Sequence, residues 1–170
     1  MRTRSLSAAR GALYTAEQRQ RRDSSKWTMV QGILAGSQFA VFLASFILVS
    51  RVLLTGEGAW IANASVLLKT LVLYTIMVTG SLWEKDVFGQ YLFAPAFFWE
   101  DVVSFVVIAL HTAYVLALLT GSLGQHELML LALAAYSLYA INAAQFLWKL
   151  RQARLGAKPA MANGRQGVRA

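Results

Sequence analysis

The sequence predicts an all-α integral membrane protein with four transmembrane helices and an aromatic re-entrant or interfacial segment between the second and third. Three observations predict it. Of 170 residues, 57% are hydrophobic and only 14% charged, against about a quarter charged in an ordinary soluble domain. Four stretches are each long enough to cross a hydrocarbon core, which takes about 20 apolar residues. All five tryptophans (Trp27, Trp60, Trp83, Trp99 and Trp148) stand at the ends of those stretches, at the headgroup level that indole prefers.

Residues 1–26 read as a basic tail holding seven of the 16 lysines and arginines. Met1–Ala12 is polar and unpatterned, and disorder is expected there. Between Tyr14 and Lys26 the spacing and charge predict a short interfacial helix on anionic lipid, gaining about 1 kcal/mol per basic residue. The membrane domain follows over 27–148. Trp27–Ser50 runs 24 residues without a charge, and Ala59–Trp83 runs 25 with Lys69 as its single charge. Val102–His126 is interrupted only by its two histidines, and Leu128–Trp148 adds 21 residues. Residues 149–170 form a second basic tail, expected to be largely disordered, above all from Ala157. Gly32, Gly36, Ala40 and Ala44 make a small-residue stripe that lets a second helix approach closely, within the bundle or in another copy.

Charge placement decides partners and orientation. A net charge of +8 would suit nucleic acid, but the basic residues sit in the tails, so no nucleic-acid partner is expected; the bilayer is the partner. With four spans, both termini and the 84–101 loop share one side, which holds 14 basic residues against Arg51 on the other. The positive-inside rule puts that side in the cytoplasm. The chain has no cysteine, which excludes disulfides, thiolate metal sites and thiol nucleophiles. Two histidines are too few for a three-histidine metal site. No phosphate loop, dinucleotide fingerprint or Ser/His/Asp set occurs, and Asn63-Ala64-Ser65 is a chance-level glycosylation triplet.

The inner loop is the unusual segment. Glu84, Asp86, Glu100 and Asp101 are four of the eight acids, placed on an otherwise basic side. Between them Val87–Trp99 is 13 uncharged residues, six aromatic: Phe88, Tyr91, Phe93, Phe97, Phe98 and Trp99. That is too short to span, and Pro95 would break a helix there. Two readings stay open: a connector wetted by headgroups, or an aromatic floor for a large flat ligand. Glu100 shares a helical stripe with Ser104, Val107 and His111, while Asp101 points about 100° away. Both acids could simply cap the helix N-terminus. His111, deep in a span, is either a structural histidine bonded to a backbone carbonyl or an axial ligand to a tetrapyrrole metal. Lys69 either snorkels or pairs with a ligand carboxylate. Asn142 and Gln145 suit bonds between helices.

The run Lys69–Asp101, KTLVLYTIMVTGSLWEKDVFGQYLFAPAFFWED, resembles the vinyl (bacterio)chlorophyllide hydratase family of bacteriochlorophyll biosynthesis. The likeness continues in VVSFVVIALHTAY (Val102–Tyr114), LYTAEQRQRRD (Leu13–Asp23), WTMVQGILAGSQF (Trp27–Phe39) and INAAQFLWKLR (Ile141–Arg151). Gly36 departs from the proline expected there, which touches the bend of the first span and leaves the inner loop alone.

The resemblance implies a hydro-lyase of the bacterial inner membrane, cytoplasmic or intracytoplasmic. It would add water across the C3 vinyl group of a chlorophyllide or bacteriochlorophyllide to give a 1-hydroxyethyl group. No redox cofactor is implied, and the only metal is the magnesium that the substrate carries. A homo-oligomer, or contact with neighbouring pathway enzymes, is left open. The chemistry asks for a protonated carboxylic acid to protonate the terminal vinyl carbon, and for a base to take the proton of the adding water. Glu100 is the expected acid, with Asp101 or Glu84 as base. The expected substrate contacts are Tyr91, Phe93, Phe97, Phe98, Trp99 and Lys69, with His111 as ligand of the substrate magnesium. A membrane protein that binds and passes on pigment without chemistry is the second reading; the retained acids favour the enzyme.

Overall fold

The computed structural model describes residues 13–166, with side chains through Gln152. The disorder expected for Met1–Ala12 and for 167–170 lies outside the described residues. Within them, five helices follow one another: α1 (Ala16–Ser24), α2 (Lys26–Thr55), α3 (Ala59–Phe88), α4 (Phe98–Thr120) and α5 (Gln125–Gln166). Four are long and apolar enough to cross a membrane: α2, α3, α4, and α5 over Gln125–Gln152. The protein is a multi-pass, all-helical membrane bundle.

Local chemistry sets the helix ends. Thr15 and Gln18 form a reciprocal capping box at the start of α1, satisfying two N–H groups that a helix start leaves free. Gly121 takes the left-handed conformation (φ 64°) and stops α4 at Thr120, because glycine alone adopts it without a Cβ clash. The apolar run Val102–His126 is therefore not one helix: α4 starts earlier, at Phe98, and His126 belongs to α5. Hydropathy cannot see that stop. At the other end, α5 continues to Gln166, through residues that composition assigns to a disordered tail. Leu, Arg, Gln, Ala and Lys dominate 149–158, and all are strong helix formers.

Consecutive spans pack antiparallel, and polar pairs fix their register. Between α2 and α3, Thr28 accepts from Trp83 Nε1 at 3.0 Å, Gln31 donates to Thr79 at 2.7 Å, and Ser45 meets Ser65 at 2.6 Å. Tyr114 on α4 donates to Asn63 on α3 at 2.7 Å, and Tyr136 on α5 reaches Ser45 at 2.5 Å. Bonds of this kind contribute about 0.6 kcal/mol each inside a bilayer, so they select register more than they stabilise. Buried apolar side chains form three levels along the bundle. One centres on Val49, Val66, Tyr114 and Met129, one on Leu73, Val107 and Tyr139, and one on Tyr14, Val87 and Phe97. The third level carries the connector between α3 and α4.

Candidate active site

Residues 89–97 link α3 to α4 at the end of the bundle where α1 also packs. Gly89, left-handed at φ 85°, ends α3 and turns the chain into the connector. Phe97 is the connector's anchor. Its ring is 2% exposed and meets Trp83 at 5.5 Å, Phe88 at 5.9 Å and Phe146 at 6.0 Å between centroids. Tyr14, ahead of α1, closes the same cluster, 5.8 Å from Phe88 and 6.3 Å from Phe97.

Two carboxylates pin the connector backbone from inside. Phe93 N–H donates to Asp101 Oδ2 at 2.8 Å, and Ala94 N–H donates to Glu84 Oε2 at 3.0 Å. Those bonds place Glu84, near the end of α3, and Asp101, in the first turn of α4, side by side behind two successive backbone N–H groups. Both side chains are buried. Two buried carboxyls placed side by side cannot both be ionised without strong repulsion, so the arrangement calls for one shared proton. Asp101 also holds Phe93 at a positive φ of 58°, a conformation that costs a non-glycine residue energy and persists only when its surroundings impose it.

Glu100 points elsewhere. Its Oε2 accepts from Lys149 Nζ of α5 at 2.5 Å, and the same ammonium reaches the Ala96 carbonyl. Asn142 donates to the Glu100 carbonyl at 2.9 Å. The roughly 100° between adjacent helical residues separates these fates: Asp101 faces α3 and Glu100 faces α5. With Lys149 on its carboxylate and Asn142 on its carbonyl, Glu100 ties the start of α4 to α5.

The aromatic residues divide in the same way. Phe97 is core, whereas Tyr91, Phe93, Phe98 and Trp99 are exposed. Phe93 stacks on Phe105 of α4 at 5.5 Å and packs on Phe98 at 5.7 Å, forming an apolar ring surface backed by the Asp101–Phe93 bond. Trp99, with its ring 5.4 Å from Phe98, extends that surface along α4.

Lys69 and His111 are not part of this cluster. His111 lies ten residues beyond Asp101 on α4, about 15 Å along the axis at 1.5 Å per residue. Both side chains are fully enclosed in the centre of the bundle. His111 Nδ1 bonds the Val107 carbonyl at 2.8 Å, the backbone contact considered for it above.

Three participants escaped the sequence reading. Lys149 could have been found from its spacing to Asn142, seven residues and two turns along one face. Phe105 carried the weaker signal of an aromatic one turn after Asp101. Gln38, the second amide of its span after Gln31, is 2% exposed and gave no indication of its neighbours.

The family described as 2-vinyl bacteriochlorophyllide hydratase (BCHF) matches residues 14–152, a range that includes the connector and all four spans. A 2-vinyl bacteriochlorophyllide hydratase of Rhodobacter capsulatus is 66% identical over 149 residues, covering 88% of this chain and 86% of its own. That of Cereibacter sphaeroides is 64% identical over 156 residues, covering 91% of this chain and 96% of its own. No solved structure matches. A buried carboxyl pair beside an aromatic face is therefore found in a chain that belongs, over nearly its whole length, to the 2-vinyl bacteriochlorophyllide hydratase family.

Proposed function

We propose that this chain hydrates the vinyl group of a vinyl bacteriochlorophyllide at the end of the bundle where α3, the connector and α4 meet. The chain is a hydro-lyase of bacteriochlorophyll biosynthesis. The observation that carries the site assignment is the pairing of the buried Glu84 and Asp101 carboxyls, which hold the adjacent Ala94 and Phe93 N–H groups.

The chemistry follows from that pairing. The shared proton passes to the terminal vinyl carbon, and the positive charge develops on the carbon beside the macrocycle, whose π-system delocalises it. Water adds there, and its surplus proton returns to the pair, now the base. The vinyl group and one water become a 1-hydroxyethyl group. Electrons balance without an oxidant or reductant, so the reaction draws on no redox cofactor. The macrocycle lies against Phe93, Phe98 and Phe105, where aromatic faces favour a flat π-system. Tyr91 and Trp99 border that surface. Phe97 acts from behind it, and Glu100 with Lys149 holds the connector's far end. His111 and Lys69, enclosed by four helices, have no part in binding the macrocycle in this reading.

Purified chain in lipid, given the vinyl pigment in heavy water, should yield the hydroxyethyl product with one non-exchangeable deuterium in its new methyl group. Pigment that is retained but recovered unchanged would defeat the enzymatic reading.

The site faces the cytoplasm in this proposal, because both termini and the connector share the strongly basic side. The chain has no cysteine of its own, so single replacements at Glu57 and Gln125 report cleanly. Both should react with an impermeant thiol reagent added from the periplasmic side. Labelling from the cytoplasmic side alone would invert the topology.

A further inference from the structure

At mid-membrane the four spans enclose a group of polar atoms that the hydration chemistry does not use. Lys69 of α3 and His111 of α4 are 0% exposed, and Gln38 of α2 is 2% exposed. Lys69 Nζ, His111 Nε2 and both amide atoms of Gln38 have no hydrogen-bond partner among the described residues. Lys69 and His111 lie against one pair of rings. Lys69 Nζ sits 3.5 Å from the centroid of Tyr139, and His111 lies 5.9 Å from Tyr136, one turn earlier on α5. Phe42, one turn beyond Gln38 on α2, touches both tyrosines, at 5.6 Å and 4.9 Å. The Gln31–Thr79 and Ser45–Ser65 pairs set the register that puts Gln38 opposite Val72, within a turn of Lys69.

The donor and acceptor inventory narrows what could join these atoms. Lys69 Nζ offers N–H donors. His111 places its Nδ1 hydrogen on the Val107 carbonyl, so the neutral ring offers Nε2 as a lone pair that only accepts. A bare anion would satisfy Lys69 and leave His111 Nε2 orphaned. A tetrapyrrole is far too large for a level closed by Leu73, Val107 and Tyr139, all buried. A molecule that both accepts and donates, and is small enough to sit between packed helices, fits every atom. Buried polar groups left unpaired cost about 1–3 kcal/mol each, and internal water is how proteins ordinarily avoid that cost.

We propose that Lys69, His111 and Gln38 form an internal water-binding site in the centre of the bundle, separate from the carboxyl pair. Water there accepts from Lys69 Nζ, donates to His111 Nε2 and bonds the Gln38 amide. Lys69 is thereby held hydrated over the Tyr139 face instead of reaching a membrane surface. The site stands independently of the hydration chemistry, since its level is about 15 Å from Asp101 along α4.

The test is water-to-protein magnetisation transfer by NMR on the full chain in lipid nanodiscs, with isotope-labelled histidine and lysine and with chloride or gluconate as counter-ion. Wild type should show transfer from water to the carbon-bound ring protons of His111 and to the Lys69 side chain. Lys69→Met should abolish the His111 signal's share. Gln38→Leu, a milder change that keeps both reporters, should weaken transfer to both while the helical circular dichroism signal stays unchanged. Absence of transfer in the wild type would overturn the proposal. So would a His111 shift on exchanging chloride for gluconate, which would make the site an anion site. Undiminished transfer in Gln38→Leu would overturn the assignment of the amide.

Discussion

Asp101→Asn should bind the vinyl pigment normally and lose turnover by a factor of about 10²–10⁴, the span that general acid–base catalysis contributes. The amide keeps the size of the carboxyl and can still accept the Phe93 N–H through its oxygen, so the connector stays pinned. It has no transferable acidic proton, and it ends the sharing with Glu84. Glu84→Gln should show a loss of similar size, because each carboxyl matters through the other. The pH profile gives the sign: turnover needs the shared proton, so it falls as rising pH removes that proton, and the falling limb is lost in either amide variant. Glu100→Gln is the contrast. It removes one partner of the Lys149 ion pair and keeps the carboxyl pair, so it should lower thermal stability and reduce turnover much less than Asp101→Asn. Pigment turnover and the melting midpoint, measured on all three variants, separate the roles.

Phe97→Ala should destabilise the protein by about 3–5 kcal/mol, the cost of emptying a buried phenylalanine site. The ring is the point on which Trp83, Phe88, Phe146 and Tyr14 converge, so no single neighbour can refill the space. The connector loses its anchor too, and the Phe93 and Ala94 N–H groups no longer meet the carboxylates in one geometry. Trp99→Ala, at a ring that is 68% exposed, should leave the melting midpoint near wild type. Equal midpoints for the two variants would show that Phe97 is not the anchor.

The spans were legible because nothing but length and apolarity is needed to cross hydrocarbon, and tryptophan marks the edges independently. The ends of α4 were not legible from hydropathy, since Gly121 stops the helix by its left-handed backbone and not by polarity. An acidic loop on a basic side was enough to single out Glu84, Glu100 and Asp101 as candidates. Their division of labour depended on a partner in another span. Helical periodicity shows that Glu100 and Asp101 diverge by about 100°, but it cannot say that α5 brings a lysine to one while α3 brings a carboxyl to the other. Likewise, the count of aromatic residues pointed to the connector, but only packing distinguishes Phe97 inside from Phe93 and Phe98 outside. Gln38, Lys69 and His111 lie in three different spans, so their meeting is a property of tertiary register alone.

The central claim is that Glu84 and Asp101 hold one proton between them at the pH where the enzyme works. Infrared difference spectroscopy of the protein in nanodiscs tests it most directly, by recording the carbonyl stretch of protonated carboxylic acids and its shift in heavy water. The account predicts a protonated-carboxyl band near neutral pH that changes or disappears in both Glu84→Gln and Asp101→Asn and persists in Glu100→Gln. A spectrum without that band, or a band removed by Glu100→Gln alone, would contradict it.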